Sequence, residues 1–235
     1  MSRVVTIVDY GMGNIMSISR AFEHFGAKVK LTAFPDMIEK ADFLVLPGVG
    51  AFADGMAGLH KRNLVEAIKR FVKKERPFLG ICLGMQMMMN SSEEFGYHEG
   101  LGLIPGKVVA IPQKGTNGKP HKIPHVGWNK LLLPSHEKGW NNTVLEGKQP
   151  GTYVYFVHSF TAIPTSDDHR LADCKYDGYL ISAAIKLGPL YGCQFHPEKS
   201  GKVGLQIIKK FLRLIPYSAA KPQPTKPSTL KHRGL

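Results

Sequence analysis

The decapeptide Pro77-Phe78-Leu79-Gly80-Ile81-Cys82-Leu83-Gly84-Met85-Gln86 decides how the rest of the chain is read. An apolar run of strand type leads into G-x-C-x-G and then into a helix-compatible stretch, which is the arrangement of a nucleophile elbow with cysteine in the serine position. Glycines two residues before and two after the cysteine suit a tight, strained turn and the close approach of a substrate. A helix N-terminus carries partial positive charge, which favours the thiolate form of a cysteine placed there. On its own the motif is equally compatible with a buried, inert cysteine.

Working outward, short apolar runs alternate with amphipathic stretches, as in βα units wound around a largely parallel sheet. Residues 4–8, 28–32, 43–46 and 77–81 read as strands, and residues 15–25 and 64–72 as helices. Gly26 stops the first helix. Beyond residue 105 the chain turns β-rich, with strands expected over 107–111, 153–160, 171–176, 179–187 and 190–195, whose hairpin-like spacing implies an antiparallel portion. Residues 115–141, rich in Gly, Pro, Asn and His, read as long surface loops near a site. A helix over 201–214 closes the domain.

A second motif, Gly192-Cys193-Gln194-Phe195-His196-Pro197-Glu198, lies at the end of an expected strand. A residue before proline is biased to extended backbone, and residues two apart on an extended chain point the same way. His196 and Glu198 therefore qualify as a base and its orienting carboxylate, partners for Cys82. Attack by a thiolate on an amide also needs donors for the developing oxyanion. The turn Pro47-Gly48-Val49-Gly50 and the N–H of Leu83 are candidates, since both strand ends should converge on one edge of the sheet.

Bulk properties exclude more than they assign. The 235 residues carry three widely spaced cysteines, which give neither a zinc-binding pair nor a disulfide framework and fit a reducing cytoplasm. The start, MSRVVTIVDYG, reads as a strand and not a signal peptide, and no run is long and apolar enough for a membrane helix. Formal net charge is +13, four of those charges coming from Lys221, Lys226, Lys231 and Arg233 beyond Pro216. Residues 217–235, basic and proline-rich, read as a disordered tail after a single domain over 1–216. No nucleic-acid motif accompanies the remaining charge, and neither a metal nor a cofactor is expected.

The pairing of GICLGMQ with QFHPEKS resembles the class I glutamine amidotransferases. Asp9-Tyr10-Gly11-Met12-Gly13-Asn14, Pro124-His125-Val126-Gly127-Trp128-Asn129 and Tyr155-Phe156-Val157-His158-Ser159-Phe160 narrow the resemblance to the HisH family, the glutaminase subunit of imidazole glycerol phosphate synthase. It covers roughly residues 3–214 and implies the three-layer α/β glutaminase fold, with a mostly parallel central sheet and an antiparallel portion.

The resemblance also implies Cys82 as nucleophile, His196 as base and Glu198 as its partner, with Gln86 and the backbone around Ser159 and Phe160 holding L-glutamine. Gly48, Val49 and Gly50 would form a switchable oxyanion element, and Trp128 and Lys199 would lie at the contact with a TIM-barrel cyclase in a heterodimer. Ammonia would pass to that cyclase, which makes imidazole glycerol phosphate and AICAR from PRFAR in histidine biosynthesis. Two alternatives accompany this reading: a paralogous glutaminase serving a sugar amidotransferase in surface-polysaccharide biosynthesis, and a non-catalytic module on the same fold. Cys174-Lys175-Tyr176-Asp177-Gly178 and the tail depart from the family pattern. Because residues 1 to about 215 are consumed by the glutaminase fold, the acceptor is expected on a partner.

Overall fold

Four apolar runs in the sequence become the inner strands of one sheet. The computed structural model describes residues 3–214, so the tail expected over 217–235 lies outside the described residues. In chain order the first half holds β1 Val4–Val8, α1 Ile15–Glu23, β2 Lys28–Thr32, α2 Pro35–Glu39, β3 Phe43–Leu46, α3 Phe52–Lys61, α4 Leu64–Val72, β4 Phe78–Ile81 and α5 Leu83–Gln86. The second half holds β5 Ser91–Ser92, β6 His98–Glu99, β7 Gly106–Ala110, β8 His125–Lys130, β9 Tyr153–His158, β10 Phe160–Pro164, β11 Arg170–Tyr176, β12 Tyr179–Leu187, β13 Leu190–Cys193 and α6 Gly201–Phe211. No helix among the described residues is long and apolar enough to cross a membrane.

The central sheet has the order β11-β12-β13-β4-β3-β1-β2. Strands β2, β1, β3, β4 and β13 run parallel, while β12 and β11 are added antiparallel, giving the mixed sheet expected. Alternation within the buried strands divides the interior in two. Phe43, Val45, Leu79 and Ile81 face one layer with Phe22 of α1 and Ile207 and Phe211 of α6. Leu44, Leu46 and Phe78 face the other with Phe52, Leu59, Ile68 and Phe71 of α3 and α4. Continuous apolar runs are what two covered faces demand.

The structure corrects the sequence reading at several points. Within the stretch read as loops, His125–Lys130 forms β8 and pairs antiparallel with β9 in a separate two-stranded sheet. The single strand expected over 153–160 breaks at Ser159: β9 stays with β8, while β10 joins β7 in a four-stranded sheet. Finally, α3 was hidden because Gly55 and Gly58 depress helix propensity. Both are there for packing, since a Cβ on Gly55 would come within 2.8 Å of Met87 Sδ and one on Gly58 within 3.0 Å of Tyr10.

Candidate active site

The carboxyl ends of β3, β4 and β13 bring the two motifs together at one edge of the sheet, where open α/β folds place ligands. Cys82 follows β4 with φ 53° and ψ −110°, outside the ordinary regions for a side-chain-bearing residue. Such a conformation costs on the order of 1–3 kcal/mol. It is held by Cys82 N–H donating to the Cys193 carbonyl at 2.7 Å and by Gln86 N–H returning to the Cys82 carbonyl at 3.1 Å.

The strain of the elbow thus sits on the cysteine and not on its glycines. Gly84 permits close approach instead: a Cβ there would stand 1.8 Å from the Leu46 carbonyl oxygen. Gly50 does use its freedom, with φ 107° in the turn after β3. The helix after Cys82 is a single turn, so its dipole is small.

His196 ends the extended chain after β13, and Pro197–Lys199 is a 3-10 turn. This revises the extended-chain argument, because the turn, not strand alternation, swings Glu198 back under the ring. His196 Nδ1 donates to Glu198 Oε1 at 2.8 Å, with both side chains buried. The other ring nitrogen, Nε2, is buried without a partner at normal hydrogen-bond geometry, as is Glu198 Oε2. Catalytic contacts of this kind are often loose without substrate. Burial lowers the His196 pKa, but the adjacent Cys82 sulphur, the hydrogen bond to Glu198 and negative charge on both outweigh it and raise it from 6.5 to about 9.

Because the folded-state value lies above the ordinary one, the stabilisation is full below pH 6.5 and is lost as pH rises through about 9. An NMR titration of the His196 ring should therefore have its midpoint near 9. In Cys82→Ala the midpoint should fall by about one unit or more, because one raising interaction is gone. An unchanged midpoint would mean that the thiol does not reach the ring.

A cavity of about 410 Å³ is lined by Cys82, Leu83, Gln86, Ser159, Phe160 and His196, together with Val49 and Gly50. That size is ordinary for a small-molecule site. Gly48 lies behind the lining, where a Cβ would strike Tyr10 Oη at 2.6 Å and Leu83 Cβ at 2.8 Å. Tyr10 Oη donates to the Pro47 carbonyl at 2.8 Å and so ties this turn to the end of β1. Leu83, first in its helix, has an N–H with no partner inside the helix. Cys174 and Cys193 are wholly buried, and burial pushes both thiols up, away from the thiolate.

Trp128 is 54% exposed on β8, with its ring edge-on to Tyr155. Lys199 is exposed in the 3-10 turn that runs into Gly201, and a Cβ on Gly201 would lie 3.9 Å from the indole. Neither residue touches the cavity.

Sequence reasoning missed Glu94 and Phe95, which enter the cavity from the loop after β5. Glu94 is buried, and its Oε2 accepts from Phe52 N–H at 2.6 Å. Nothing in the run Ser91-Ser92-Glu93-Glu94-Phe95 separates it from a surface loop. Gln194, by contrast, stood inside the second motif and went unused. Its side-chain Oε1 accepts from Gln86 Nε2 at 3.1 Å, and its Nε2 points to Cys82 Sγ at 3.8 Å.

Residues 6–215 match the family model described as glutamine amidotransferase class-I. The imidazole glycerol phosphate synthase subunit HisH 1 of Legionella pneumophila (strain Lens) is 57% identical over 210 residues, spanning 89% of this chain and 99% of that protein. The HisH subunit of Aquifex aeolicus is 42% identical over 215 residues, spanning 88% and 95%. Among solved structures, PurLQS from Thermotoga maritima superposes with a TM-score of 0.67 at 18% identity, covering 90% of this chain and 98% of that one. A putative GMP synthase component from Thermoplasma acidophilum gives 0.62 at 20%, covering 90% and 93%. These two likenesses speak to the fold alone. The chain belongs to the class I glutamine amidotransferases and, within them, to the HisH family.

Proposed function

We propose that this chain is the glutaminase subunit of an imidazole glycerol phosphate synthase. The observation that carries the chemistry is the buried His196–Glu198 pair set beside a cysteine in a strained elbow at the wall of one cavity. Cys82 hands its proton to His196 Nε2, the nitrogen left unpartnered on a ring whose raised pKa favours the imidazolium, before Sγ attacks the side-chain amide carbon of L-glutamine. Glu198 keeps the imidazole in the tautomer with Nδ1 protonated and steadies the imidazolium.

The oxyanion then receives the N–H of Leu83 and, from the turn at Gly48, Val49 and Gly50, a peptide N–H. Collapse breaks the C–N bond, His196 returns its proton to the departing ammonia, and a thioester to Cys82 remains. Water activated by the same histidine attacks the thioester and releases glutamate. Glu94 supplies the negative charge that suits the substrate's ammonium group, beside Gln86. The backbone around Ser159 and Phe160 holds the same end of the molecule.

Ammonia is made for a partner, a cyclase subunit of TIM-barrel fold that converts PRFAR to imidazole glycerol phosphate and AICAR in the cytoplasm. The exposed Trp128 and Lys199 form part of the docking face, which the high identity to HisH subunits supports. The purified chain alone should hydrolyse glutamine slowly. Addition of the cyclase and its nucleotide should raise the rate by about 10² or more, since a completed oxyanion hole contributes that much. A full rate without the partner would contradict the gating, and no stimulation by the cyclase would contradict the acceptor.

A further inference from the structure

Two buried histidines outside the proposed triad, His125 and His158, face one another across β8 and β9. His125 Nδ1 lies 3.0 Å from His158 Nε2, and His158 Nδ1 lies 2.8 Å from the Phe160 carbonyl. That carbonyl also accepts from Gln86 Nε2 at 3.0 Å. Gln86 in turn meets Gln194 Oε1, and Gln194 Nε2 reaches toward Cys82 Sγ. At the far end Asn129 Nδ2 approaches His125 Nε2 at 3.3 Å.

The directions of these bonds are not free. Asn129 Oδ1 accepts from Lys130 N–H at 2.7 Å and its Nδ2 also donates to the Lys175 carbonyl at 3.0 Å, so the amide cannot turn over. It presents a donor to His125 Nε2, which must accept, leaving His125 Nδ1 protonated. His158 Nε2 must then accept as well, and its Nδ1–H donates to the Phe160 carbonyl. One consistent assignment satisfies every atom, and it requires both rings neutral with the proton on Nδ1.

With Nε2 of Gln86 engaged by two acceptors, its Oε1 is the end of the amide left for the cavity. We infer that His125 and His158 are positioning residues: a one-way hydrogen-bond relay, set by Asn129, that fixes the Phe160 carbonyl and turns the acceptor oxygen of Gln86 toward the substrate's ammonium group. The inference rests on the glutaminase reading.

The surroundings keep the rings neutral. Burial is the main cause and holds His125 down near 4 and His158 near 3. Asp177 opposes it at His125, while His121 adds to it; at His158 the Phe160 carbonyl opposes it, and His125 and His196 add to it. The rings of Tyr176 and Phe156 stack on His125, centroids 4.1 and 4.9 Å away.

Three measurements test the relay on the full chain with its cyclase. His158→Phe should raise KM for glutamine about tenfold with a smaller change in kcat, the loss expected for one oriented contact. His158→Asn, whose Nδ2 can donate from near the place of Nδ1, should recover most of it. A wild-type KM in the Phe variant, or no advantage of Asn over Phe, overturns the proposal. Should the Phe variant fail to fold, ¹⁵N NMR of the unaltered protein decides: both rings must show a protonated Nδ1 and a bare Nε2, and a proton on either Nε2 overturns it. Absence of glutamine turnover by the wild-type complex would instead overturn the glutaminase reading, leaving the NMR result to stand alone.

Discussion

Cys82→Ala should lose glutamine-dependent product formation by a factor of about 10⁴ or more, while the complex with the cyclase keeps making product from added ammonia. The substitution removes one sulphur from a site that is 6% exposed and adds nothing that must be accommodated. Cysteine and alanine bear the same strain at φ 53°, and the backbone bonds that hold the elbow, from Cys82 N–H to Cys193 and from Gln86 N–H to Cys82, do not involve the side chain. The fold and the docking face should therefore persist. Only the thioester route is closed, because neither Cys174 nor Cys193 reaches the cavity to replace the nucleophile. Glutamine turnover above about one part in 10³ would mean that another group attacks the amide, and loss of the ammonia-dependent rate would mean that the variant has disturbed the assembly.

Much of this site was legible because its chemistry is contiguous in sequence. Strand, cysteine and helix follow one another within ten residues, and the proposed base and its carboxylate are separated by one proline. Strands such as Phe43–Leu46 were legible because burial on both faces writes an unbroken apolar run. What escaped depends on contacts distant in sequence. β8 carries glycine, asparagine and histidine because its inner face meets a polar relay, so its composition mimics a loop. Glu94 acquires its place only when α3 lays an N-terminal N–H against it. The Glu198 side chain reaches His196 through a 3-10 turn that alternation along a strand does not describe.

Gly84→Ala should be the most damaging single methyl group that can be added at the site. A Cβ at this position would lie 1.8 Å from the Leu46 carbonyl oxygen and 2.8 Å from its carbon, where real side chains need more than 3 Å. Leu46 cannot retreat: it ends β3, which is paired on one side with β1 and on the other with β4, where Leu46 stands opposite Gly80. The short helix Leu83–Gln86 must lift instead, drawing its own buried Leu83 and Met85 out of the core. Overpacking against backbone costs on the order of 3 kcal/mol, which for a domain of this size lowers Tm by roughly 10 °C. The same movement displaces the Leu83 N–H and Gln86 from the cavity wall, and a shift of about 1 Å is enough for a 10²-fold loss of rate. Gly26→Ala is the matched control, with φ 74° but nothing within 4 Å of the new methyl, so it should cost only about 1 kcal/mol and leave the rate intact. Thermal melts and glutaminase rates of both variants separate the two explanations of the motif. Equal damage at 26 and 84 would mean that the close contact with Leu46 adds nothing to the cost of the methyl group. Damage confined to 84 assigns this glycine to the approach of helix to strand, the contact that sets the height of Cys82 above the sheet.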